Sequence, residues 1–228
     1  MEFLVQNDER YPRRESVLKD KKVLFCGDSI CSAAVYDYKD CPRWGWAGRC
    51  SSVTGLKYIN KGLDGASLST CRKDNRILFQ IEACKEECFD LIVLHGGVND
   101  GWDAIEPGKM EEGFDLDRFD TTTCCGGLEE LLYYVKKYFP ETKVCYLVNF
   151  ATPSSKIGAL SNMDPYFDEM VKILEKWQIP TLDLYHDVAF SEEFKVTERI
   201  NTADFVHPNA QGYDALYPYV LKFLEEQF

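Results

Sequence analysis

Five short apolar runs punctuate the chain, at positions 22–26, 58–60, 91–95, 143–148 and 181–184. Within them apolar residues follow one another with little alternation, which predicts strands buried on both faces. Between the runs the pattern takes the period of a helix. Over 164–177, Phe167, Met170, Val171, Leu174 and Trp177 recur at helical spacing, behind an Asp cap and with Pro165 at the first helical position. Leu128, Leu131, Leu132, Val135 and Phe139 make a second stripe, which Pro140 ends. Residues 76–88 and 209–228 are the other predicted helices, and in the latter Pro218 lacks an amide hydrogen, so a kink or restart is expected there. Alternation of strand and helix throughout argues for a parallel sheet covered on both sides.

No internal repeat, low-complexity tract or Pro/Gly/Ser linker interrupts this order, so the 228 residues read as a single domain, 1–228, with 1–20 as an N-terminal extension. Residues 101–120 form the one long irregular stretch, rich in Asp, Glu and Gly. A lid or specificity loop is one reading of it and a plain surface excursion the other.

Composition narrows the class. At 45% hydrophobic and 14% aromatic the chain can build a sizeable core and is too apolar to be disordered. A formal charge of -12 repels phosphate backbones and anionic headgroups, so neither nucleic acid nor membrane is an expected partner. Residues 1–20 are mostly polar and lack the apolar run of a secretory signal, and no segment reaches the length of a membrane span, so a cytoplasmic protein is expected. Ten cysteines then read as free thiols, most of them small buried apolar groups. Cys84 and Cys88 fall four apart on a predicted helix and Cys124 and Cys125 are adjacent, but no second CxxC or CxxH accompanies them. No metal and no cofactor is therefore expected.

The first strand runs into Cys26-Gly27-Asp28-Ser29-Ile30, which sets a hydroxyl at the carboxyl end of a buried strand. By itself an Asp-Ser pair after a strand also fits a turn or a helix cap. The second strand is followed by Asn60 to Ser67, with Gly65, and the third by Gly96-Gly97-Val98-Asn99-Asp100. If the strand order is 2-1-3-4-5, the ends of the first three strands are neighbours at the point where ligands bind in open α/β sheets. Ser29, the Gly65 N–H and the Asn99 amide would then converge, as acyl transfer requires of a nucleophile and the donors to its oxyanion.

A serine hydroxyl needs a base, and the histidines are His95, His186 and His207. Asp183 and His186 form an Asp-x-x-His pair at the end of the fifth strand, where residues three apart point to opposite faces. Asp204 and His207 form another in a loop just before the last helix, where nothing forces them apart. His207 is thus the better base and Asp204 the group that orients it, with His186 as the alternative. His95, beside the Gly96-Gly97 turn, reads as a hydrogen-bonded structural residue.

Taken together, Gly27-Asp28-Ser29-Ile30, Gly65, Gly97-Val98-Asn99-Asp100 and Asp204 to His207 resemble the four blocks of the SGNH (GDSL-like) hydrolase family, in the family's order and across most of the chain. Ile30 stands where the family name has Leu. The resemblance implies a flavodoxin-like three-layer α/β/α sandwich with a five-stranded parallel sheet. It also implies that Ser29 N–H, Gly65 N–H and the Asn99 amide form an oxyanion hole for serine-dependent hydrolysis of a carboxylic ester. Family members cleave acetyl groups from carbohydrates, lysophospholipid esters and thioesters, and the four blocks leave these alternatives open. Trp44, Trp46 and Trp102 could each contact a sugar ring or acyl group, with core packing the plainer role for Trp44 and Trp46. Trp102, three residues after Asn99, is the best candidate for substrate binding.

Two enzyme classes are disfavoured by missing motifs. A metal-dependent phosphoesterase would carry Asp-x-His on its first strand, and an ordinary α/β-hydrolase Gly-x-Ser-x-Gly; neither occurs. A binding module on the same fold remains the non-catalytic alternative.

Overall fold

Strands whose residues are apolar on both faces are stable only inside a layered structure, and burial follows that rule here. A computed structural model describes residues 1–33, 44–151, 162–195 and 200–228. Its strands are β1 (Lys22–Cys26), β2 (Lys57–Asn60), β3 (Leu91–His95), β4 (Lys143–Val148) and β5 (Thr181–Asp183). They form one parallel sheet in the order β2-β1-β3-β4-β5, the order expected. Phe25 lies opposite Asn60 and Val93, so the ends of β1, β2 and β3 finish side by side.

The helices are α1 (Ser29–Ser32), α2 (Gly45–Thr54), α3 (Ile77–Glu82), α4 (Val98–Trp102), α5 (Cys124–Tyr138), α6 (Asp164–Lys176), α7 (Val188–Phe194) and α8 (Ala210–Glu225). Helices α2 and α8 pack on each other as one layer, while α5 lies between α3 and α6 in another. The sheet between them makes the three-layer sandwich. Among the described residues no helix is long and apolar enough to cross a membrane.

Several elements differ from the sequence reading, among them the short helices α1, α4 and α7, which it did not include. The helix expected over 76–88 stops at Glu82, because beyond it the backbone closes short turns, Cys84 N–H to Ile81 and Glu87 N–H to Cys84. Past Cys84 no apolar stripe rewards a further turn, and Glu82 and Glu86 would repel four residues apart. Cys84 is buried and Cys88 exposed, so the two share no helix face. Helix α8 runs through Pro218 without a restart. The missing N–H frees one carbonyl, that of Asp214, while Tyr213, Leu216, Val220 and Leu224 stay buried on either side of it.

Asp164 is the first residue of α6 and not its cap, which is Met163; its carboxylate instead accepts from the Tyr185 hydroxyl at 2.5 Å. Helix α2, which carries no periodic signal, is buried along its whole length, and a helix buried all round shows no amphipathic stripe.

Residues 1–20 wrap the β2 edge: Leu4 and Tyr58 exchange backbone hydrogen bonds of 2.8 and 2.9 Å, and Leu18 is fully buried. That pairing covers an otherwise open sheet edge. Residues 103–120 lie against α5 and α6, where Lys176 Nζ donates to the Glu111 and Gly113 carbonyls and Phe114 meets Trp177 edge-on at 4.9 Å.

Candidate active site

Asp28 sets the geometry at the end of β1. Its Oδ1 accepts from Ile30 N–H at 2.9 Å and so caps α1, whose first residue is Ser29. Just before it, the Gln80 side-chain amide takes both backbone groups of Gly27, at 2.8 Å each, as a neighbouring strand would. Tyr213 donates to the Ile30 carbonyl at 2.7 Å, so the turn into α1 is held from α3 and α1 itself from α8. The Ser29 hydroxyl is left half-buried with its side chain uncommitted to capping.

Behind Ser29 sits a buried pair of titratable side chains, Asp28 and His95. His95 Nε2 lies 3.4 Å from Asp28 Oδ1, and both side chains are almost wholly inaccessible. His95 Nδ1 donates to the Leu147 carbonyl at 2.8 Å, which turns Nε2 toward the carboxylate. Burial pushes the His95 pKa down, but the charge and hydrogen bonding of Asp28 together with the Leu147 carbonyl outweigh it, and the net shift is upward. For Asp28 the balance runs the other way: burial raises its pKa, and His95 with the Ile30 N–H brings it below the ordinary value. His95 is therefore a structural neighbour of the serine turn, as its sequence position suggested.

His207 is presented by a tight loop ahead of α8. Thr202 and Pro208 form an antiparallel bridge, Ala203 N–H donates to the His207 carbonyl at 2.9 Å, and Asn209 N–H to the Asn201 carbonyl at 3.1 Å. Asp204 Oδ1 accepts from Val206 N–H and His207 N–H at 3.0 and 2.8 Å, an Asx turn that Phe205 completes with a φ of 74°. Its other oxygen lies 2.8 Å from His207 Nδ1. Burial alone would raise the Asp204 carboxyl; the hydrogen bonds from the His207 backbone and ring outweigh it and lower it. His207 Nε2 is then 2.8 Å from Ser29 Oγ, 178 residues away in sequence.

Gly212 fixes how closely this loop approaches α8. A Cβ there would lie 1.9 Å from the Asn201 carbonyl oxygen, a distance backbone movement alone can relieve. In an ordinary helix Gly→Ala stabilises by up to about 1 kcal/mol; here Gly212→Ala is expected to destabilise by about 1–3 kcal/mol and to lower turnover further by displacing His207. Melting temperature and kcat/KM on one preparation check this, and a higher melting temperature would refute it.

The other two strand ends close the site. Leu63 to Ala66 form a β-turn, with Ala66 N–H bonded to the Leu63 carbonyl at 3.0 Å and Gly65 at a φ of 76°, a conformation that costs glycine nothing. Asn99, half-buried in α4, donates from Nδ2 to the Ala66 carbonyl at 2.9 Å and so stands beside Gly65. Fully buried Asp100 accepts from Leu68 N–H and Ser69 N–H at 3.0 and 2.9 Å, tying that loop to α4. Its pKa is raised, since burial outweighs those hydrogen bonds. Ser29, Asp204 and His207 are thus brought together, with Gly65 and Asn99 as neighbours of each other. Trp102 ends α4 with 52% of its surface exposed, whereas Trp44 and Trp46 are core residues at 3% each.

One expectation fails. Asp183 and His186 do pair, Oδ2 to Nδ1 at 2.6 Å, because β5 ends at Asp183 and the chain bends before His186, so strand alternation does not apply. What separates the two Asp-x-x-His pairs is the other ring nitrogen. His186 Nε2 meets the Asp168 carboxylate at 2.9 Å, while His207 Nε2 meets a serine. Sequence reasoning missed Gln80, Asn75 and Arg72, whose side chains grip the backbone of the site; such bonds leave no spacing signal. Among the described residues no group of three or more His, Cys, Asp or Glu could hold a metal ion.

No curated protein matches the chain in sequence. Solved structures do match in fold. One is a protein from Lactobacillus plantarum, with a TM-score of 0.74 and 21% identity over 92% of this chain and 99% of that one. A member of the lipolytic G-D-S-L family from Veillonella parvula gives 0.62 and 18%, over 88% and 96%. A catalytic mutant of an acetylxylan esterase from Geobacillus stearothermophilus gives 0.62 and 19%, over 92% and 96%. The model of the GDSL-like lipase/acylhydrolase family matches residues 25–215, from the end of β1 into α8 and across every block of the site, and the chain belongs to that family.

Proposed function

We propose that the protein is a serine esterase acting through an acyl-enzyme, with Ser29 as nucleophile, His207 as general base and Asp204 as its orienting carboxylate. The observation that carries this reading is the unbroken chain of contacts from Ser29 Oγ to His207 Nε2 and from His207 Nδ1 to Asp204 Oδ2, each 2.8 Å. Asp204 fixes the tautomer with the proton on Nδ1, so Nε2 can take the serine proton as Oγ attacks the ester carbonyl. The carbonyl oxygen becomes an oxyanion, which the N–H groups of Ser29 and Gly65 and the second amide hydrogen of Asn99 stabilise. Protonated His207 returns its proton to the departing alcohol; water then repeats the cycle on the acyl-serine, releasing the acid and freeing Ser29.

For substrate we infer a small acyl group, such as acetyl, on a neutral carbohydrate. The exposed Trp102 at the end of α4 offers a flat apolar face for a sugar ring, and the charge of -12 disfavours the phosphate of a lysophospholipid or of a coenzyme thioester. The acetylxylan esterase among the similar structures is consistent with this choice.

Hydrolysis of p-nitrophenyl acetate is expected to persist in a chelator and to stop, one equivalent per chain, on treatment with a serine-directed phosphonate. Chelator-sensitive or phosphonate-resistant hydrolysis would sink the serine mechanism. A panel of acetylated sugars, lysophospholipids and acyl-thioesters then tests the substrate, and preference for either of the last two overturns the carbohydrate assignment.

A further inference from the structure

Three successive backbone carbonyls in the turn after β2 are each held by a different side chain. Asn75 Nδ2 donates to the Asp64 carbonyl at 2.8 Å, Arg72 Nη1 to that of Gly65 at 2.7 Å, and Asn99 Nδ2 to that of Ala66 at 2.9 Å. Arg72 is itself clamped by Asp103, just beyond α4, through Nε and Nη2 at 2.7 and 3.0 Å. On the other side Asp64 Oδ1 lies 2.5 Å from the Ser32 hydroxyl of α1. The turn that carries Gly65 is thereby tied both to the helix of Ser29 and to the helix of Asn99.

Resting on the esterase reading, we propose that Asn75 and Arg72 are positioning residues that lock the peptide plane between Asp64 and Gly65, so that the Gly65 N–H faces the reacting carbonyl.

Leu63 to Ala66 have positive φ only at the third residue, which makes this a type II turn. Types I and II differ by a half-rotation of the central peptide, here the one joining Asp64 to Gly65. Glycine at the third position tolerates both, so sequence alone does not choose between them. In a trans peptide the C=O and N–H point in opposite directions. A hydrogen bond that captures the Asp64 carbonyl therefore aims the Gly65 N–H the opposite way. Were the plane to rotate, a carbonyl oxygen would face the developing oxyanion in place of a donor, turning stabilisation into repulsion. Asn75 supplies the direct lock. Arg72 holds the following carbonyl, and a Cβ on Gly65 would sit 2.4 Å from its Nη1, so the guanidinium also walls the turn from outside. The Asp103 hydrogen bonds raise the Arg72 pKa and keep the pair charged.

The test uses the full-length protein and p-nitrophenyl acetate. Asn75→Asp keeps the shape of the side chain and removes the donor; it is expected to lower kcat by about 10- to 100-fold with KM within about threefold. Arg72→Met, which releases the Gly65 carbonyl and the Asp103 contact but leaves Asn75 on the Asp64 carbonyl, should lower kcat by a smaller factor, and it keeps the question answerable if the first variant misfolds. A phenylboronic acid, whose serine adduct is tetrahedral and anionic, should lose affinity in proportion to kcat in both variants. The midpoint of the pH–kcat/KM profile should stay where it is in wild type, because Ser29, His207 and Asp204 are untouched. An active wild type whose folded variants keep full kcat overturns this inference alone, as does a loss of kcat with undiminished boronate affinity. A wild type inactive on every ester overturns the esterase reading, and this inference falls with it.

Discussion

Ser29→Ala is expected to abolish ester hydrolysis while leaving the protein folded. In the proposed mechanism Ser29, His207 and Asp204 act as a unit, so the loss in kcat should be on the order of 10⁴- to 10⁶-fold, or roughly 5 to 8 kcal/mol of activation free energy. His207→Ala should cost about as much, and the double variant little more, since either change stops the same proton transfer. Stability should hardly move. The cap of α1 is Asp28 and not Ser29, so the alanine variant keeps the Asp28 to Ile30 hydrogen bond. Removing the His207 ring leaves Asp204 its bonds to the Val206 and His207 backbone, and the loop keeps its bridge between Thr202 and Pro208.

His186→Gln is the informative control. It breaks an Asp-His contact of the same type at 2.6 Å, yet the ring lies between two carboxylates and touches no serine, so turnover should be preserved. Near wild-type turnover in folded Ser29→Ala, or a dead His186→Gln beside an active His207→Gln, would reverse the assignment.

How far the sequence discloses this arrangement depends on the kind of force involved. Strands buried on both faces announce themselves, because each position of 91–95 must be apolar or paired, and all five are buried. Two-sided helices such as α6 do the same through their stripe. Helix α2 is silent because burial on every side erases the contrast that periodicity measures. Local chemistry is legible where a short motif closes on itself, as Asp204 does on Val206 and His207. It misleads where an assumed element ends early. The rule that separates Asp183 from His186 holds inside a strand, and β5 has already ended at Asp183. What stays hidden is long-range side chain to backbone bonding: Gln80 on Gly27, 53 residues apart, and Asn75 on Asp64 obey no period and need no particular neighbour in sequence. Those bonds orient the turns on which the proposed chemistry depends. The four blocks mark where the proposed reactive groups sit, and residues outside the blocks hold them there.

Asn99→Ala is the second large effect, and it asks whether the site is built for an oxyanion or merely holds a serine beside a histidine. The amide already spends one hydrogen on the Ala66 carbonyl at 2.9 Å, which leaves the other for the substrate. Alanine removes both. Loss of the first should cost about 0.5–1.5 kcal/mol of stability, or a few degrees in melting temperature for a domain of this size. Loss of the second acts on charge that exists only in the transition state, so kcat should fall by about 10² to 10³, equivalent to roughly 2.7–4 kcal/mol. KM should change far less, because the ground-state ester carbonyl carries little of that charge. Ser29, His207 and Asp204 are not bonded to Asn99, so the rate of inactivation by a neutral alkylating reagent at Ser29 should fall by a much smaller factor than kcat. The competing role is purely structural, with Asn99 pinning the turn after β2 and nothing more. In that case melting temperature drops while the folded fraction turns over normally, and kcat, KM and melting temperature measured on one preparation separate the two. An unchanged kcat removes Asn99 from the proposed oxyanion hole and leaves the two backbone N–H groups to carry it.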